Sequence, residues 1–144
     1  MQAFPHHYRV EARAQAEGSV VTTADDKDPI EAAPPRPFGG PGDRWSPEEL
    51  LMAAVADCLI LTFRAVARAS GFDWTGIECR SEGTLERVER QIKFTEIHTE
   101  ARLNIPAGAD PEQARKLLEK SEASCLITNS LSAQTRLSIT IEVA

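Results

Sequence analysis

The stretch SPEELLMAAVADCLILTF, residues 46–63, decides the fold of this chain. Ser46 suits a helix N-cap, Pro47 suits the first helical position, and Glu49 completes a capping box with Ser46. After that box the only charged residue of the stretch is Asp57, so the helix is apolar on nearly every face. A helix of this kind is buried on all sides. A chain of 144 residues has little room for it, so we expect a second subunit to cover part of its surface.

The segments on either side of this helix alternate between strand and helix signals. In chain order we expect two strands at 8–14 and 19–23, an irregular Pro- and Gly-rich segment at 24–46, the helix, two long antiparallel strands within 76–105, a second helix from 111 to about 124, a short turn or helix at 125–131, and a last strand at 137–143. The apolar phase slips between Phe94 and Ile97, which predicts a β-bulge. Together these patterns predict one α+β domain over residues 1–144, with antiparallel sheets and a buried central helix.

The composition is that of an ordinary globular chain, with 42% hydrophobic and 26% charged residues. A net charge of −6 disfavours a nucleic-acid binder. The longest apolar run, residues 50–56, is shorter than the roughly 20 residues that cross a bilayer, so we expect no membrane partner. The N-terminus has no basic region leading into an apolar stretch. We therefore expect a cytoplasmic protein, whose cysteines are reduced rather than joined in structural disulfides.

The three cysteines are the residues to which chemistry is most readily assigned. Taken alone, Cys58 is either a small core residue or a reactive thiol. Cys79 falls on the inward face of a strand and is interpreted as core filler. No pair has C-x-x-C spacing, and the histidines have no ligand spacing with each other or with a cysteine. We therefore expect neither a metal site nor a cofactor.

Several of these features together resemble the OsmC/Ohr family. They are, in chain order, the loop GGPG at 39–42, the segment SPEEL at 46–50, Cys58 ten residues after Glu48, the segment LNIP at 103–106, Cys125 followed by Asn129, and the closing alternating strand. The resemblance extends over roughly residues 6–144. It implies an OsmC-like fold in an intertwined homodimer, which agrees with the apolar central helix.

The resemblance also implies a thiol-dependent peroxidase. Cys58 would attack an organic hydroperoxide or hydrogen peroxide, and Cys125 would resolve the resulting sulfenic acid as a disulfide. An external dithiol, on a lipoyl protein or a thioredoxin-like protein, would then reduce that disulfide. Glu48, which matches the family's glutamate, would orient a cation that lowers the pKa of the attacking thiol. Apolar walls at Leu51, Val55 and Phe63 would suit an alkyl hydroperoxide.

Three positions depart from the family pattern. The family's arginine is missing from the first hairpin, where residues 16–19 read AEGS. The nearest replacements are Arg44 and Arg36 of the loop, each of which is either that cation or a solvated loop charge. Asp57 precedes Cys58, and a neighbouring carboxylate would raise the pKa of that thiol. Leu126 replaces the proline that often follows the second cysteine. These departures keep open a different function, in which a non-catalytic dimer binds a small apolar ligand at its interface. A thiol redox sensor is disfavoured because the chain has no output segment.

The spacing of Glu48 and Cys58 predicts which chain supplies the carboxylate. Ten residues of helix rise about 15 Å along the axis, which is beyond the reach of a glutamate side chain. Glu48 is therefore expected to serve the Cys58 of the other subunit, or to act through a bridging arginine.

Overall fold

The computed structural model describes all residues, 1–144, and has two compact units, residues 1–51 and 52–144. Its elements are β1 (Glu11–Arg13), β2 (Val20–Thr23), β3 (Ile30–Ala32), a 3-10 helix (Arg36–Phe38), α1 (Pro47–Ser70), β4 (Gly76–Val88), β5 (Gln91–Ile105), α2 (Pro111–Ala123), α3 (Leu126–Asn129) and β6 (Gln134–Val143). The α+β class predicted from the sequence is confirmed.

The first unit contains a three-stranded antiparallel sheet in the order β1-β2-β3. Gly18 connects the first two strands with a φ of 96°, a backbone conformation that favours glycine. Strand β3 corrects the prediction for this region, because Ile30–Ala32 pairs with β2 although it lies among prolines. Ile30–Ala32 are not prolines, so their backbone N–H groups are available for pairing with β2. The next residue also pairs, since Ala33 N–H donates to Trp45 O at 2.9 Å.

Strand β1 is exposed on both faces in the single chain. The apolar side chains leading into it are exposed as well: Tyr8 is 86% and Val10 74% accessible. Tyr8 and Val10 therefore belong to an apolar face that nothing in this chain covers.

The start of α1 has the predicted capping box. Glu49 N–H donates to Ser46 Oγ at 3.1 Å, and Ser46 N–H donates to Glu49 Oε1 at 3.2 Å. Ser46 is fully buried, so this exchange satisfies two donors that would otherwise be unpaired away from water.

The second sheet has the order β4-β5-β6. Strands β4 and β5 form the predicted long antiparallel hairpin, turning at Glu89, whose φ is 59°. The register shifts where Thr84 pairs with Glu96 and Leu85 pairs with Phe94. The residue left over on β5 is the bulge that the sequence predicted between Phe94 and Ile97.

Strand β6 pairs with β5 in parallel, from Glu96↔Gln134 to Ile105↔Val143. This corrects the expectation of purely antiparallel sheets. The physical reason is the connection: α2 and α3 lie between the two strands and carry the chain back to the end of β5 at which that strand begins. The second sheet is therefore mixed, and β5 is its central strand.

The core of the second unit is formed by α1, the sheet and α2. Its buried residues are Leu59, Phe63, Ala67, Phe72, Ala101, Leu103, Ile105, Ala114, Leu117 and Leu118. Helix α1 buries only one stripe, at every fourth residue: Val55, Leu59, Phe63 and Ala67. The helix was expected to be buried on all sides, and in the single chain it is not; Leu61, for example, is 57% exposed.

By length and composition alone, α1 would also be long enough to cross a membrane, with a mean hydropathy of 2.0 over 18 residues. The apolar run at 50–56 is shorter than the whole apolar segment of the helix, because apolar residues continue past Asp57. Its buried stripe packs into the protein core, as a core helix does.

Candidate active site

Cys58 lies in the middle of α1 and is half-buried. Its Sγ atom is 3.8 Å from Oγ1 of Thr62, one helical turn further along. Residues four positions apart share a helix face, which is why these two side chains meet. The helix itself thus positions the Thr62 hydroxyl at the sulfur, where it can donate to a Cys58 thiolate.

The pKa of Cys58 is lowered from its ordinary value. Burial by itself raises this pKa, but hydrogen bonds to the sulfur outweigh burial: the backbone N–H of Ile127, the Cys125 thiol, the Thr62 hydroxyl and the backbone N–H of Leu126. The sulfur is therefore stabilised as a thiolate by neutral donors. The expectation that Asp57 raises the pKa of Cys58 is wrong, because Asp57 points into solvent and is not among the groups that shift it.

Cys125 is buried, with 1% of its surface exposed, and is the residue before α3. Thr128 Oγ1 donates to its carbonyl oxygen at 3.2 Å, and Asn129 Nδ2 donates to Ala123 O at the end of α2. Thr128 and Asn129 therefore bond helix ends. Burial raises the pKa of Cys125, Thr128 opposes this in part, and the neighbouring Cys58 raises the pKa further.

The two neighbouring thiols consequently differ in their pKa, which is lowered at Cys58 and raised at Cys125. Each affects the other: Cys125 lowers the pKa of Cys58, and Cys58 raises the pKa of Cys125. The structure thus brings together two cysteines that lie 67 positions apart in the sequence. It leaves one as the readier nucleophile and the other as a neutral thiol.

A small cavity of about 10 Å³ lies beside Cys125. Its walls are Val55, Leu59, Ile97, Thr99, Glu122, Cys125, Thr128, Thr135, Arg136 and Leu137. The volume is close to the minimum that one water molecule needs, and the walls carry several polar groups that could bind it.

Cys79 is separate from this pair. It is partly buried and packs against the core through β4, and burial raises its pKa to about 11. The interpretation of Cys79 as core filler is therefore supported by its surroundings, and it stays a neutral thiol at physiological pH.

The charged residues of the proposed site lie in the first unit, and the structure gives each a definite environment. Arg44 Nε is 3.0 Å from Glu31 Oε2, so its carboxylate partner within the chain is Glu31 and not Glu48. Arg36 has no ion pair, and its guanidinium lies over Gly42. Oε1 of Glu48 is buried and has no hydrogen-bond partner.

The three residues expected to form an apolar wall have different surroundings. Leu51 is half-buried on α1, and Val55 lines the small cavity beside Cys125. Phe63 is a correction: it is fully buried and its ring contacts Trp74 edge-on, with centroids 5.5 Å apart. Its position on the buried stripe of α1 makes it a core residue, with no surface left for a substrate.

Sequence reasoning missed several residues at this site. Thr62 could have been found from its spacing of four from Cys58. Glu122 could have been noticed three residues before Cys125. Arg136 and Thr135 carry no local signal, because the parallel docking of β6 alone brings them to the cavity.

Comparisons with known proteins agree with this arrangement. A family profile described as OsmC-like protein matches residues 40–140. The uncharacterized protein YmaD of Bacillus subtilis (strain 168) is 25% identical over 142 residues, covering 96% of this chain and 95% of that protein. The peroxiredoxin OsmC of Escherichia coli (strain K12) is 27% identical over 89 residues, 62% of each chain.

Among solved structures, an organic hydroperoxide resistance protein OsmC from Legionella pneumophila superimposes with a TM-score of 0.76 at 23% identity. The match covers 97% of this chain and 99% of that one, and it shows that the two share a fold with two sheets and three helices. The matched profile includes both cysteines that the structure brings together and covers well over half of the sequence. On these grounds the chain belongs to the OsmC family.

Proposed function

We propose that this protein is a thiol-dependent peroxidase that reduces organic hydroperoxides through Cys58 and Cys125. It works in the cytoplasm as a homodimer and needs no metal or cofactor. One relative of this chain is a peroxiredoxin, which supports the reduction of peroxides as the class of reaction. The apolar surface of α1 around Cys58 favours an alkyl hydroperoxide over a sugar or nucleotide substrate.

One observation carries this proposal: the fold brings Cys58 and Cys125 together, with the Thr62 hydroxyl 3.8 Å from the Cys58 sulfur, and the pKa is lowered at Cys58 and raised at Cys125. The thiolate is the form of cysteine that attacks electrophiles, so Cys58 is suited to attack the peroxide. Cys125 remains a thiol until a sulfenic acid forms next to it. A lone core cysteine would show neither the donors around Cys58 nor the reciprocal effect.

The reaction then proceeds in three balanced steps. The Cys58 thiolate attacks the terminal oxygen of the hydroperoxide, the O–O bond breaks, and the alkoxide takes a proton to leave as an alcohol. The sulfur of Cys125 attacks the Cys58 sulfenic acid, which forms the disulfide and releases water. An external dithiol reduces the disulfide and is itself oxidised. The proposed donor is a lipoyl or thioredoxin-like protein.

The homodimer is supported by what the single chain leaves uncovered. Helix α1 buries one stripe and leaves apolar side chains such as Leu61 exposed, and Tyr8 and Val10 near β1 are exposed as well. The buried Oε1 of Glu48 without a partner favours the same conclusion. An unpaired buried acceptor costs about 1–3 kcal/mol, and a group from a second subunit would remove that cost.

Peroxide consumption with dithiothreitol as the dithiol tests the activity. Wild type should consume cumene hydroperoxide and Cys58→Ser should not. Without dithiothreitol, Cys125→Ser should consume about one equivalent and form no disulfide with Cys58. Cys79→Ala is the matched control, because that thiol lies outside the pair, and it should behave as wild type. Peptide mapping after one equivalent should show a crosslink between Cys58 and Cys125. Consumption that persists in Cys58→Ser would refute the proposal.

A non-catalytic dimer that binds an apolar ligand is the second candidate. The missing hairpin arginine favours it, together with the engagement of Arg44 by Glu31. Two unreacted thiols after hydroperoxide treatment would decide for this alternative. If the protein is a peroxidase, the variants Arg36→Ala and Arg44→Ala identify which loop arginine replaces the hairpin cation, because only that variant should slow the oxidation of Cys58.

The position of Glu48 is tested with mixed dimers of Glu48→Gln and Cys58→Ser chains. If Glu48 serves the Cys58 of its partner, the mixed dimer keeps one complete site and should regain about half of wild-type activity. Sedimentation should give about twice the chain's mass of 15.8 kDa. A stable monomer at micromolar concentration would contradict the dimer, and a mixed dimer without activity would place both residues in one chain.

A further inference from the structure

We propose that Glu122 is the base that takes the proton of the Cys125 thiol when the disulfide with Cys58 forms. The inference rests on the two-cysteine chemistry proposed above. It adds a residue that the sequence did not single out.

Glu122 lies in the last turn of α2, three residues before Cys125. The Cys125 N–H donates to the Glu122 carbonyl oxygen at 3.1 Å, which holds the two residues at a fixed separation. Both residues line the cavity of about 10 Å³, and Thr128 lines it too. Because both residues line a cavity the size of one water molecule, a single water there could relay a proton from the Cys125 thiol to the Glu122 carboxylate.

The charges around the cavity leave this carboxylate free to act as a base. Arg136 is the cation in the cavity wall, and it pairs with Glu96 rather than with Glu122. Burial raises the pKa of Glu122, and repulsion from Glu119 on the same helix raises it further. A carboxylate shifted in this direction is a stronger base than an exposed one, and general bases work best when their pKa approaches the working pH.

Cys125 needs such a base. Its own pKa is raised, so at neutral pH it carries a proton that must leave before or during its attack. In the proposed step the Glu122 carboxylate takes this proton as the S–S bond forms. The S–O bond of the Cys58 sulfenic acid breaks, and the departing hydroxide takes a proton and leaves as water. The protonated Glu122 then returns its proton to solvent.

A chromogenic disulfide, 5,5′-dithiobis(2-nitrobenzoate), isolates this step from peroxide chemistry. All proteins carry Cys79→Ala, so that only two thiols react. The Cys58 thiolate first releases one equivalent of thionitrobenzoate and keeps the other as a mixed disulfide. Cys125 then attacks that mixed disulfide and releases the second equivalent. The first phase reports on Cys58 and on the integrity of the fold, and the second phase reports on the deprotonation of Cys125.

In Glu122→Gln we expect an unchanged first phase and a second phase slowed by about tenfold or more. In wild type the second phase should rise with pH along a limb set by Glu122. That limb should be absent from Glu122→Gln. It should move to lower pH in the matched control Glu119→Gln, because removing the repulsion lowers the pKa of Glu122.

The results separate this inference from the proposed function. A second phase in Glu122→Gln as fast as in wild type would overturn the role of Glu122. A second phase whose pH dependence is the same in Glu119→Gln as in wild type would overturn it as well. A wild-type protein that releases only one equivalent would overturn it too. If the same wild-type preparation consumes no hydroperoxide, the proposed peroxidase activity is refuted. The role of Glu122 is then still tested by the second phase of thionitrobenzoate release.

Discussion

Replacing Thr62 by valine removes one donor from the Cys58 sulfur while keeping the shape of the side chain. Hydrogen bonds to charged groups are worth about 1.5–3 kcal/mol, and the distance of 3.8 Å together with partial exposure places this one lower, at about 1 kcal/mol. Since one pKa unit corresponds to about 1.4 kcal/mol, the pKa of Cys58 should rise by roughly 0.7. Below that pKa the thiolate fraction should fall about fivefold.

The rate of reaction should change less than the thiolate fraction, and its sign should depend on pH. A thiolate of higher pKa is intrinsically more nucleophilic, and the Brønsted slope of about 0.4–0.5 recovers roughly a factor of two. Thr62→Val should therefore react about two- to threefold more slowly than wild type below the pKa and about twofold faster above it.

Alkylation of Cys58 by iodoacetamide, followed by peptide mass analysis across a range of pH, measures this crossover. Thr62→Ser keeps the hydroxyl and should follow wild type. A Thr62→Val protein with an unchanged midpoint, or one slowed at every pH, would show that the hydroxyl does not stabilise the thiolate.

Three further predictions concern stability and are measured by urea denaturation. Burial raises the pKa of Cys79 from 9.0 to about 11, so its neutral thiol favours the folded state below about pH 9, and this contribution is lost as pH rises from about 9 to 11. Wild type should lose at most about 2–3 kcal/mol over that range, and Cys79→Ala should lack this component of the slope. Ser46→Ala should cost about 1 kcal/mol, whereas Glu49→Gln, which can still accept from Ser46, should cost less. Gly40→Ala should cost more than Gly39→Ala, because a Cβ at Gly40 would lie 1.6 Å from a backbone carbonyl oxygen, whereas Gly39 has open space and only its φ of 85° resists substitution; equal losses would contradict this ranking.

The features that could be predicted from the sequence are those fixed by neighbouring residues. The capping box of Ser46 and Glu49 involves residues three apart, and the bulge near Phe94 appears as a slip in the alternation along one strand. Cys79 could be assigned to the core because it falls on the apolar phase of its own strand.

The features that were missed depend on residues distant in sequence or on partners outside the local pattern. Strand β3 forms among prolines because β2 offers it a pairing edge, which no local propensity reports. The burial of Phe63 depends on which stripe of an almost uniformly apolar helix faces the core. The convergence of Glu122 and Arg136 on one cavity depends on the parallel docking of β6.

The parallel pairing of β6 with β5 also constrains the order in which this protein folds. Strands β4 and β5 are joined by a tight turn, so that hairpin forms from local contacts. Strand β6 follows α2 and α3 in the sequence and pairs only with β5, so it can add to the sheet only after both helices have been synthesised. Loop closure over such separations is slow compared with hairpin formation. Thr135, Arg136 and Leu137 belong to β6, so the cavity beside Cys125 is complete only after β6 has paired with β5. A folding intermediate in which β6 has not yet paired would hold both cysteines without the cavity that lies beside Cys125.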